Sequence, residues 1–101
     1  MTARYRTFGE FYPFYLSEHR HPVCRRLHFV GSALVLVVIG LAAVTRSAWW
    51  LIAAPVAGYG FAWIGHFFFE KNRPATFTYP LYSFLGDWVM FAQIVRGKLR
   101  L

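Results

Sequence analysis

Five side chains hold most of the chemistry open to this 101-residue sequence: His19, His21, His28, His66 and Glu70. Imidazole suits iron, zinc, copper and nickel, and histidines joined by a carboxylate, with positions left open, form the donor pattern of non-haem Fe(II) oxygen chemistry. Tyr59, Trp63, His66 and Glu70 are spaced 4-3-4, which on a helix makes one stripe. Beside it run Gly58, Ala62 and Gly65, small residues that let another helix backbone approach. Glu70 and Tyr59 are the stripe's candidates for catalytic work next to a metal. The same His-xxx-Glu spacing also suits a plain hydrogen-bonded pair, and His28 at the start of an apolar run also suits a headgroup anchor. His19 and His21, two apart, point in different directions and do not both serve one ion.

The other charged residues surround these. Arg25, Arg26 and Arg73, with Lys71, flank the histidine-bearing segments and suit a fatty-acid carboxylate; each also reads as a topology signal. Asp87 is the exception in an otherwise apolar stretch. It could cap a helix break near Gly86, pair with Arg96, or support a metal-bound histidine.

The segments that must position these residues are apolar. Phe29 to Thr45 and Ser47 to Phe69 carry no charge apart from His66, and each is near the roughly 20 residues that span hydrocarbon as a helix. Two transmembrane helices joined by a tight turn near Arg46 follow. A third apolar stretch, Ala75 to Val95, holds Pro80, Gly86 and Asp87. Ten of the eleven basic residues precede the first span, follow the second or lie at the C-terminus, leaving Arg46 alone in the loop between. The positive-inside rule then puts both termini on the cytoplasmic side, and the third stretch is expected to be interfacial or re-entrant. Thr7 to Glu10 has capping-box spacing and opens a short aromatic helix at the interface, with Pro13 awkward inside it and Pro22 expected to end it. Antiparallel spans bring His28 and His66 to one membrane face, where His19 and His21 also lie.

The expected fold is a single all-α integral membrane domain over residues 1–101, a small helical bundle. Composition agrees, with 57% apolar and 15% charged residues. The formal charge of +7 is dispersed at the ends of apolar runs, which fits membrane lipid headgroups and gives no nucleic-acid surface. Cys24 is the only cysteine, so neither an intrachain disulfide nor a CxxC motif exists. The N-terminal residues lack the apolar core of a secretory signal, so insertion is expected to use the internal segments. Nothing in the sequence sets an oligomeric state.

Two longer passages carry a resemblance. FYPFYLSEHRHPVCRRLHFVGS, with Tyr15, His19, His28 and Gly31, and GYGFAWIGHFFFEKNRPATF, with Trp63, Gly65, His66, Glu70 and Pro74, together resemble the membrane-bound Fe(II)-dependent 2-hydroxy fatty acid dioxygenases in a short, bacterial-like form. Eukaryotic members act in the α-oxidation branch of phytosphingosine breakdown. The resemblance implies Fe(II) as cofactor and a long-chain 2-hydroxy fatty acid and O2 as partners, the product being the acid one carbon shorter. It implies metal-ligand roles for His19, His28 and His66 and matches Glu70 without saying whether it ligates or orients. His21 and Cys24 stand where longer members tend to carry asparagine, so the resemblance gives them no role. For a bacterial chain the inner membrane is the expected location. The competing reading is a non-catalytic small membrane protein that binds lipid or metal through its histidines.

Overall fold

The computed structural model describes residues 5–74 and 77–100; Arg4 and the start of the third apolar stretch, Ala75 and Thr76, lie outside them. Four helices follow in order: α1 Phe8–Ser17, α2 Pro22–Thr45, α3 Trp50–Ile64 and α4 Pro80–Val95. Among the described residues there is no strand. A π-helical segment, Gly65–Glu70, continues α3 directly. The wider turn of a π segment is uncommon and recurs at functional sites.

Thr7 caps α1, its Oγ1 accepting from the Glu10 N–H at 3.1 Å, while Glu10 reaches back to the Arg6 N–H. The capping box therefore closes one residue earlier than its usual return bond. Pro13 is accommodated inside α1, and that helix stops at Ser17 on its own. Pro22 ends nothing: it opens α2. Its fixed φ and missing N–H suit a first-turn position, where the donor would have no helical partner.

α2 and the α3–π run are 24 and 21 residues, about 36 and 32 Å, and both are long and apolar enough to cross a membrane. Arg46, left-handed at φ 57°, forms the C-cap between them and turns the chain back. α4 is 16 residues, about 24 Å, with Pro80 at its start and no break at Gly86 or Asp87. It is shorter than the hydrocarbon layer.

Apolar residues point outward along the two long helices: Val44 is 83% exposed, Val56 69% and Phe68 70%. The buried set is half polar, with His19, His28, Ser32, His66 and Ser83 inside. That inversion suits a lipid surround. Phe11, Tyr15 and Met90 form the apolar core between α1 and α4. Gly86 makes room for the Tyr15 ring, since a Cβ there would lie 2.9 Å from it.

Candidate metal centre

Two helical elements and the α1–α2 link deliver three imidazoles to one point. His19 lies just past α1, His28 two turns into α2, and His66 at the second residue of the π segment. α2 and the π segment approach closely because Gly65 has no side chain; a Cβ there would sit 2.9 Å from Cys24 Sγ. All three histidines are buried. Their rings stand nearly perpendicular to one another, at 80–87°, with centroids 4.3–4.9 Å apart.

The tautomers follow from the partners. His19 Nδ1 lies 2.7 Å from the Tyr15 carbonyl and His28 Nδ1 2.9 Å from the Cys24 carbonyl; carbonyl oxygens only accept, so both Nδ1 atoms carry the proton. His66 Nδ1 lies 2.7 Å from Asn72 Oδ1. The Asn72 amide is oriented by its other end, Nδ2 donating to the Glu18 carbonyl at 3.3 Å. Each neutral ring therefore turns an unprotonated Nε2 inward. His19 Nε2 is 2.9 Å from His28 Nε2 and 2.9 Å from His66 Nε2.

Lone pairs brought together at that distance, with every Nδ1 proton already committed, repel unless a cation lies between them. A proton shared among them would put charge in a buried site, and burial, followed by the nearby His28 and His66, already holds His19 well below its ordinary value of 6.5. A metal ion is the partner that fits. Nitrogens at right angles around an ion about 2.0–2.1 Å away are about 2.9 Å apart. Backbone or amide acceptors behind each ring are the supports usually found behind ligating histidines.

The family model described as 2-hydroxy-palmitic acid dioxygenase Mpo1-like matches residues 5–99. The chain belongs to this family. Comparisons with curated proteins and with solved structures each found no match.

The Mpo1-like chain keeps other sequence candidates at varying distances from the three nitrogens. Cys24 shares the cluster, but its Sγ is 3.7 Å from His28 Nδ1, behind the ring. His21 caps α2, its Nδ1 accepting from the Val23 N–H at 3.1 Å. Glu70, the last residue of the stripe, accepts from the His21 backbone N–H at 2.5 Å. Arg26 and Arg73 are exposed, and Arg25 donates to the Arg100 carbonyl at 3.2 Å.

Glu70 thus ties the end of the π segment to the start of α2. Glu70→Ala is expected to cost about 1 kcal/mol, lowering the melting temperature in detergent, while metal affinity stays within a few-fold of wild type. Loss of metal binding as complete as in a histidine variant would instead make Glu70 a ligand.

A water-sized cavity of about 10 Å³ adjoins the imidazoles, with Tyr59, Trp63, Ser83 and Asp87 in its wall. Tyr59 and Trp63 keep their place on the stripe here. Ser83 Oγ is buried without a hydrogen-bond partner among the described residues. Asp87 accepts from the Tyr15 hydroxyl, and Tyr15 stacks on His19 with centroids 4.1 Å apart. Burial raises the Asp87 carboxyl to about 7, the Tyr15 bond pulling it back only in part. Asn72 and Ser83 escape sequence reading, since nothing in their local pattern marks a partner 6 residues back or a cavity formed by other helices.

Proposed function

We propose that this chain is an iron-dependent dioxygenase that shortens long-chain 2-hydroxy fatty acids by one carbon at the cytoplasmic face of a membrane, the bacterial inner membrane being its expected home. The observation that carries the reading is the convergence of three unprotonated Nε2 atoms, with both Nε2 separations from His19 at 2.9 Å. Family membership supplies the substrate class.

His19, His28 and His66 would hold the metal, and Fe(II) there would supply the one-electron chemistry that lets O2 react with a closed-shell acid. The overall change balances as one 2-hydroxy acid and one O2 giving the acid one carbon shorter, CO2 and water. The C1–C2 bond breaks, and O2 takes up the four electrons released by the acid. The Tyr15 and Cys24 carbonyls and Asn72 Oδ1 hold the three rings in the ligating tautomer. Ser83 offers an unsatisfied hydroxyl to a polar head group, and Asp87 can hold or release a proton near neutrality. Buried apolar walls keep bulk water out. Arg25, Arg26 and Arg73 form a basic collar at the membrane face that draws in an anionic acid rather than gripping it.

Detergent-purified protein loaded anaerobically with Fe(II) is expected to retain about one iron per chain. With 2-hydroxypalmitate and O2 it should give the C15 acid and CO2 in equal amounts. A chain that takes up no iron overturns the proposal. Iron uptake without a shortened acid at any chain length leaves a metal-binding membrane protein without this activity.

A further inference from the structure

A larger cavity, about 310 Å³, lies between α2, α3 and α4 and shares His28, Tyr59, Ala62 and Asp87 with the small one at the imidazoles. Its lining changes with depth. At the histidine end stand His28, Ser32, Tyr59 and Asp87; farther in, Val35 and Ile39 of α2 face Ala54 and Pro55 of α3. Because the two long helices run antiparallel, Ile39 and Ala54 reach similar depth. The rise along α2 from residue 28 to residue 39 is about 16 Å, the length of an extended acyl chain of about a dozen carbons.

A cleft apolar throughout would suit any lipid that fills a packing defect. This one begins at His28, Ser32 and the Asp87 carboxyl, beside the small cavity that His19, His66 and Ser83 line, and ends among aliphatic side chains. Its gradient fits a single-chain amphiphile whose polar head meets the histidines. We infer that this cleft, open along its side at Ile39 and Pro55, seats the substrate's acyl tail between α2, α3 and α4 rather than free in the bilayer, and that Ile39 and Ala54 at its far end set the chain length measured. The inference rests on the dioxygenase reading for the identity of the head group. It adds a specificity determinant some 16 Å from the chemistry.

The test uses iron-loaded protein in nanodiscs without O2, so that binding is read without turnover, against 2-hydroxy acids from C8 to C20. Wild-type affinity should climb with chain length and level off at about C14, as each added methylene is buried until the cleft is full. Ala54→Phe should level off several carbons earlier, weakening the C16 acid on the order of ten-fold or more while leaving the C10 acid unchanged. Ile39→Ala should move the plateau to longer chains, a gain that misfolding does not produce. Val44→Phe, at a side chain 83% exposed on the same helix, should leave the profile alone.

A profile unmoved by both Ala54→Phe and Ile39→Ala puts the tail in the bilayer and overturns the inference. So does a Val44→Phe variant that shifts it as much. Binding with the expected plateau but no shortened acid once O2 is admitted keeps the inference and sinks the dioxygenase. No binding at any length sinks both.

Discussion

His19→Ala is expected to reduce iron from about one per chain to background and to take 2-hydroxy acid turnover below detection. His19 is the hub of the cluster, its Nε2 lying 2.9 Å from each of the other two. Removing it leaves His28 and His66 without the donor that joins them, and two imidazoles do not replace three. A structural reading of the same residues predicts a different outcome. If the histidines only braced the bundle, His19→Ala would lower stability equally with and without metal. If they bind iron, wild type should gain about 2.7 kcal/mol of stability at an iron concentration 100 times its dissociation constant, and the variant should gain none. Melting temperature measured with and without Fe(II) in wild type and variant decides between them. Cys24→Ser should keep the iron-dependent gain, because its Sγ faces Nδ1 of His28 and not Nε2.

Much of this arrangement was legible before any coordinates. Two uncharged runs with one arginine between them dictate an antiparallel pair, and Arg46 does take the left-handed conformation that turns the chain. Antiparallel spans put His28 beside His66. The misjudged features depend on contacts or backbone geometry that local pattern does not encode. Pro22 reads as a helix stop, yet proline is as well suited to a first turn, and only the end of α1 at Ser17 shows which applies. Pro80, Gly86 and Asp87 read as interruptions, yet Pro80 sits at a helix start, Gly86 admits the Tyr15 ring, and Asp87 receives the Tyr15 hydroxyl from 72 residues away. The Glu70 stripe assumed an α-helical period throughout. The site is built on a π segment from Gly65 to Glu70, in which His66 is buried and Glu70 accepts from the His21 backbone, a contact 49 residues away that local pattern does not show.

Asn72 gives the sharpest test of the tautomer argument, because it acts on His66 from outside the ligand set. With Asn72→Ala the His66 Nδ1–H loses its acceptor, and the ring is free to move its proton to Nε2, the atom aimed at the cluster. Iron must then displace that proton. Affinity is expected to fall about 10–100-fold, the usual cost of losing such a partner, with kcat recovering toward wild type at saturating iron. Asn72→Asp keeps an oxygen where Oδ1 stands and adds negative charge, which favours the Nδ1–H tautomer more strongly; its affinity should equal or exceed wild type. Chelator competition reads both affinities, and kcat against iron concentration separates weaker loading from damaged chemistry. Were Asn72→Asp as weak as Asn72→Ala, the operative contact would be the amide's other bond, from Nδ2 to the Glu18 carbonyl, which aspartate cannot make. The orientation of His66 would then depend on how the α1–α2 link is held, and not on an acceptor at its ring.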